Sequence, residues 1–192
     1  KKKRMKHLRL FALMLAAATF AACDDDEGTT TGGGGNGDVT PVSSGVLIVN
    51  QGNEGYGLEG DFTTVDYMDG YSAVTGRFAA VNGRSLGLTP NRSCIHGGKI
   101  YTAVTSSNTV EVCGKGDFRS VAQIALAGND TLSQPRDVVG QDGYVYVSLY
   151  SGHVCKIDTT DFSIVGAVAV GQYPEDMVIA GGKLYVPNCN YS

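Results

Sequence analysis

Ten tyrosines and no tryptophan occur in the 192 residues, and their positions decide what chemistry is open to the chain. Tyr101, Tyr144, Tyr146 and Tyr185 sit inside short runs rich in Val, Ile and Leu, where a ring belongs to a core or a sheet face. Tyr56, Tyr150, Tyr173 and Tyr191 lie in Gly-, Ser- and Asn-rich connections, in the company of Asn53, Arg92, Arg136 and Asn188. Rings, amides and guanidinia on one surface suit a large ligand that is apolar along its faces and polar at its arms. The competing reading, in which loop tyrosines only pack on neighbouring elements, stays open at this level.

Other chemistries find little support. No G-x-S-x-G occurs, and His96 and His153 have no Ser or Cys partner at a motif spacing. Asp66, Asp69, Asp158 and Asp161 fall in turn-like stretches, where Asp hydrogen-bonds its own backbone. Asp137 and Asp176 each follow a proline by two residues, as repeat-structural positions. "GYGLEG" (Gly55 to Gly60) matches G-x-G-x-x-G, but the following "DFTTVDY" has strand character, whereas a dinucleotide site requires a helix there. Cys94, Cys113, Cys155 and Cys189 form no C-x-x-C pair, so a metal site is not expected; they are either buried thiols or one of three possible pairings. The expectation is a binding protein without catalytic residues, metal or cofactor.

Along the chain, one phrase recurs. "LTPNRSCIHGGKIYTAV" from Leu88, "SQPRDVVGQDGYVYVSLY" from Ser133 and "GQYPEDMVIAGGKLYVP" from Gly171 share a proline, an apolar run, a Gly-containing turn and a tyrosine-bearing strand. Pro90, Pro135 and Pro174 are 45 and 39 residues apart, and Tyr101, Tyr146 and Tyr185 repeat the same spacings. Asp117-Phe118 and Asp161-Phe162 supply a further landmark. A period of about 40 fits four-stranded propeller blades or helical arrays. The runs lack i, i+3, i+4 spacing and are rich in Tyr and Val, which selects strands. The predicted fold is all-β: a β-propeller of four-stranded blades, here an N-terminal part of about three and a half blades.

The third unit divides into "DVVG", "YVYVSLY", "HVCKID" and "SIVGAVAV", strands A to D from the channel outward; the second into "SCIH", "KIYTAV", "TVEVCG" and "SVAQIAL". "GVLIVNQGN" from Gly45 aligns with "GKLYVPNCN", so the first unit opens at strand B. The predicted blades span about 45–85, 86–130, 131–170 and 171–192. All B–C and D–A loops then open on one face, carrying the candidate ligand-binding set Asn53, Tyr56, Arg92, Arg136, Tyr150, Tyr173 and Asn188. A propeller closes with typically four to eight blades, so a longer gene product is expected.

Residues 1–22 read as a signal peptide, with "MKHLRL" basic, "LFALMLAAATFAA" apolar and extra residues before Met5. Residues 23–44, opening with "CDDDEGTTTGGGGNGD", read as an acidic, Gly/Thr-rich tether with nothing to build a core. Six of the 15 Lys+Arg and none of the 19 Asp+Glu lie in residues 1–22, leaving nine cations against nineteen carboxylates, a net charge of −10. That argues against nucleic acid as a partner, which needs a basic face.

"FAAC" at Phe20–Cys23 resembles a bacterial lipobox, which implies lipidation of Cys23 and an outer-membrane lipid anchor. The adjoining "DDDE" resembles the surface-export signal of Bacteroidetes lipoproteins, which implies a chain facing the cell exterior. The P-x-x-apolar and "GKLYV" repeats resemble the YncE- or YVTN-type β-propellers. With "LIVNQGNEGYGLEGDFTTVDY", they are similar to the Bacteroidetes BtuG-type lipoproteins. The resemblance covers Gly45 to Asn190. It implies cobalamin or another corrinoid as ligand and a TonB-dependent transporter of BtuB type as partner. The alternative is a surface scaffold without a small ligand.

Overall fold

The computed structural model describes residues 44–126 and 131–189. The expected signal peptide, Cys23, nearly all of the expected tether and the loop tyrosine Tyr191 lie outside the described residues.

Two complete four-stranded antiparallel sheets form the centre of the array. The first consists of β4 (Pro90–His96), β5 (Lys99–Val104), β6 (Thr109–Gly114) and β7 (Ser120–Ala125). The second consists of β8 (Pro135–Gln141), β9 (Tyr144–Leu149), β10 (His153–Asp158) and β11 (Ile164–Ala169). Each pairs in sequence order, as a meander. They are flanked by a three-stranded sheet, β1 (Gly45–Asn50), β2 (Asp61–Asp66) and β3 (Ser72–Val74), and by the hairpin β12 (Val178–Ala180) with β13 (Lys183–Tyr185). β4 lies beside β8 and β8 beside β12, so the first strands of successive sheets meet along one axis. This is the blade arrangement of a β-propeller. No helix interrupts the described part of residues 87–180.

Each repeated landmark has one backbone solution. The A–B turns Gly97-Gly98, Asp142-Gly143 and Gly181-Gly182 have positive φ at both positions, the mirror-image turn whose twist matches two antiparallel strands. Phe118 and Phe162 in the C–D turns adopt φ 59° and 62°, each held by Asp Oδ1 accepting the N–H two residues on, at 3.0 Å in both. Thr89, Gln134 and Tyr173, each immediately before a blade proline, take φ 60°, 58° and 53°. Their carbonyls accept from the N–H of Thr105, Tyr150 and Cys189, all at 2.9 Å. Left-handed backbone is unfavourable for such side chains and persists only where surrounding bonds impose it.

The core lies between blades. Tyr101, Val110, Val112, Ile124 and Leu126 meet Val138, Val145, Val147, Leu149, Cys155 and Ile157 across one interface. Phe62, Phe78 and Leu86 meet Ile100, Cys113 and Phe118 across the preceding one. Adjacent residues Ile100 and Tyr101 therefore face opposite neighbours, the period of two that a strand buried on both faces uses.

The first blade has three strands and adds one element absent from the strand reading. β3 is short, and a helix, α1 (Arg77–Asn82), follows it on the way to β4. The helix cap, Gly76, has no side chain to offer, and Asp61 substitutes: its carboxylate accepts the N–H groups of Phe78 (2.8 Å) and Ala79 (3.0 Å). Arg84, just beyond α1, reaches the fully buried Glu111 at 3.0 and 3.1 Å, where Ser120 and Gln123 also donate.

Candidate ligand-binding face

The candidate face is built by the residues that follow each blade proline. The ladder between β4 and β5 shifts register between Pro90 and Arg92, and that between β8 and β9 shifts between Pro135 and Asp137. Asn91 and Arg136 are thus the extra residues of two equivalent bulges. A bulge leaves its residue outside the regular pairing and re-aims its side chain. Glu175 has the same offset from Pro174. These three side chains touch across blades: Arg136 donates from Nη1 to Asn91 Oδ1 and from Nε to Glu175 Oε2, both at 2.8 Å. Gln51 of the first blade donates to the same Asn91 oxygen at 3.0 Å. One polar side chain per blade thereby forms a continuous chain.

Aromatic rings stand over this chain. The Arg136 guanidinium lies 5.2 Å from the Tyr150 ring centre, and the Tyr150 hydroxyl donates to Glu175 Oε1 at 2.9 Å. Tyr173 meets Tyr150 edge to face, with ring centres 5.8 Å apart. The left-handed turn before Pro174 places Tyr173 there, so the same conformation that repeats the fold also builds the pair. Burial alone would raise the Glu175 pKa. The hydrogen bonds from Arg136 and Tyr150, with the Arg136 charge, outweigh it and hold the carboxyl below its ordinary value.

One residue further along each repeat, a second layer forms. Arg92 lies 3.6 Å from Asp137 and also pairs with Asp176. Asp137 is buried, accepts the Met177 N–H at 2.5 Å and so latches the third blade to the fourth. Burial raises its pKa, against the lowering effect of the Met177 and Val138 N–H groups and Arg92. This agrees with the repeat-structural reading of Asp137.

Of the seven predicted site residues, Arg136, Tyr150 and Tyr173 come together directly, and Arg92 stands in the adjoining layer. Asn53 closes a tight loop through its backbone, exchanging bonds with Leu58 at 2.8 and 2.9 Å. Tyr56 in that loop is 82% exposed. The loop leans on the second blade through Glu54, which accepts from Thr89 and Ser106. Asn188 donates to the Val170 carbonyl at 2.6 Å and ties the fourth blade to its incoming connection. Sequence reasoning passed over Gln51, Asn91 and Glu175. The column of residues one after each proline would have exposed the last two.

Cys113, Cys155 and Cys189 are free thiols. Burial pushes the pKa of both Cys113 and Cys155 up to about 12, so neither is a nucleophile at neutral pH. Asp158 Oδ1 accepts the Thr160 N–H at 2.7 Å, the self-bonding expected of an Asp in a turn. The described residues contain no cluster of three metal-ligating side chains and no helix long and apolar enough to span a membrane.

The fold and this face define a class: an all-β protein of propeller blades with an aromatic and polar loop surface near the axis. No family model and no curated protein matches the chain. Solved structures do. Hydrazine synthase of Kuenenia stuttgartiensis superposes with a TM-score of 0.51 at 17% identity, over 65% of this chain and 35% of its own. The computationally designed protein Ika8 superposes with a TM-score of 0.55 at 9% identity, over 77% of this chain and 41% of its own. The chain thus spans well under two thirds of either structure. At such identities the likeness concerns the fold alone.

Proposed function

We propose that the chain captures a large amphipathic ligand on its loop face, most concretely cobalamin or a related corrinoid. In this reading it serves a TonB-dependent outer-membrane transporter of BtuB type as a lipid-anchored surface protein resembling the BtuG-type lipoproteins. The observation that carries the reading is the Tyr150–Tyr173 pair set over Arg136 and Glu175. Two rings provide an apolar bearing surface, and the amide, guanidinium and carboxylate beneath them offer both donors and acceptors within one hydrogen-bonded chain. A corrin presents apolar edges and amide arms, which match the two kinds of group. A tether rich in Gly and Asp would hold such a receptor near its transporter and raise the local ligand concentration.

The test is isothermal titration of the intact protein with cyanocobalamin, alongside a variant carrying Tyr150→Ala and Tyr173→Ala. Binding should weaken at least about tenfold in the variant, as loss of a central aromatic anchor does. Absence of heat and of any change in the visible spectrum at micromolar concentrations would end the corrinoid reading. Tight binding indifferent to the double change would move the site elsewhere. The scaffold reading has its own observation: Tyr56 and Leu58 stand 82% and 59% exposed on the first loop, as anchors for a protein partner would.

A further inference from the structure

A second concavity lies on the opposite face, where the A–B and C–D turns emerge. It is a cleft of about 480 Å³ between the first and second blades, within the size range of small-molecule sites. Its lining is mixed: Ser44, Thr64 and Asp66 share it with partly buried Leu47, and Ile100 and Phe118 are buried. Ile95, 39% exposed, flanks the opening. Two cations line it, Arg77 at the start of α1 and Lys115 in the C–D turn of the second blade. Neither forms an ion pair among the described residues.

Arg77 is the telling group. Its guanidinium stacks 5.0 Å from the centre of the Phe118 ring, which fixes it against the floor of the cleft. Its Nε is buried with no hydrogen-bond partner. Buried polar groups are nearly always partnered, and an orphan is costly unless a ligand completes it. The lining also includes Asp66, whose Oδ1 accepts the Met68 N–H at 2.8 Å and is thereby committed to its own turn. Two cations against this one carboxylate leave the local balance positive, in a protein whose charge is otherwise acidic.

We propose that this cleft binds a small organic anion, with a carboxylate or phosphate head between Arg77 and Lys115 and an apolar body along Val46, Leu47 and Ile95. A planar guanidinium is well suited to such a head because its donors lie in a fixed fork. The apolar walls would bind the body whatever its charge; the two cations are what select an anion. The site is distinct from the loop face and does not depend on the corrinoid reading.

The experiment is a fluorescence titration of the full chain with 1-anilinonaphthalene-8-sulfonate, followed by competition with octanoate and with octanol. Octanoate should displace the probe, and octanol should be at least about tenfold weaker, the cost of losing a charge-assisted contact. Arg77→Gln and Lys115→Gln should each weaken octanoate about fivefold or more, and Arg77→Lys should retain most of the affinity. Equal competition by octanol and octanoate would overturn the proposal, leaving only an apolar patch. Should Arg77→Gln fail to fold through loss of its stacking on Phe118, Lys115→Glu decides alone, since that residue sits on an exposed turn. Octanoate affinity unchanged by that reversal would also overturn it.

Discussion

Glu175 shows how a single side chain links stability to the candidate face. It receives Arg136 and Tyr150, and through Arg136 it is joined to Asn91 and Gln51. Its pKa is lowered in the folded chain, so its ionised form is favoured by folding. The stability it contributes is then fully present above the ordinary glutamate range and is lost as pH falls through its folded value. Asp137 works with the opposite sign: burial raises its pKa, so acidification relieves a buried charge there. Thermal midpoints of the wild type and Glu175→Gln should therefore differ most near neutral pH and converge as the pH falls below the ordinary glutamate range. A gap independent of pH would show that the Glu175 carboxylate contributes no charge-dependent stability. The place of Glu175 one residue after Pro174 was legible in the sequence, but its contacts were not, because Arg136 and Tyr150 are supplied by the preceding blade. Its nearest relation in sequence to Arg136 is 39 residues away, and only the cross-blade register makes them neighbours.

At the scale of elements, what could be read from the sequence was what the backbone enforces locally. The strands β5, β6 and β10 coincide with "KIYTAV", "TVEVCG" and "HVCKID" because each is bounded by turn residues with a fixed conformational task. Asp142-Gly143 is one such bound: φ is 50° and 78° at the two positions, and β8 and β9 pair directly from it, Gln141 opposite Tyr144. Gly143→Val should cost about 1–2 kcal/mol, the penalty of forcing a β-branched residue into left-handed backbone. Urea unfolding would read this as a lowered midpoint with an unchanged slope; a midpoint within error of the wild type would refute the turn assignment. α1 was not legible. Its cap comes from Asp61, 17 residues before Phe78, rather than from Gly76, so no local start signal precedes it. The proline bulges were equally hidden, since Pro90 and Pro135 mark the repeat without showing that the next residue leaves the ladder.

For the molecule as a whole, the equivalent tyrosines of the B strands measure how blades protect one another. Tyr101 is fully buried, Tyr146 is partly buried, and Tyr185 is 52% exposed. The three have the same place in the repeat, so the difference reflects the neighbouring blade. The third blade packs over Tyr101 in the inter-blade core, whereas among the described residues nothing comparable covers Tyr185. Val178 beside it on β12 is 56% exposed, and at the other end of the array Val46 and Ile48 of β1 are each 41% exposed. Both outer sheets present apolar faces, and completing the burial of each half-exposed side chain is favourable by about half of the ~1.5–3 kcal/mol that full burial gives. β1 is also an edge strand among the described residues, with backbone groups able to pair with another strand. The 192-residue chain should therefore associate as its concentration rises, with light scattering after size exclusion giving a mass above that of one copy. Replacing Val178 and Tyr185 by Lys should shift the population towards the monomer, because a charge on that face opposes its burial. A chain that stays monomeric across the concentration range, and melts in one cooperative transition, would show that these faces are stable in water as they stand.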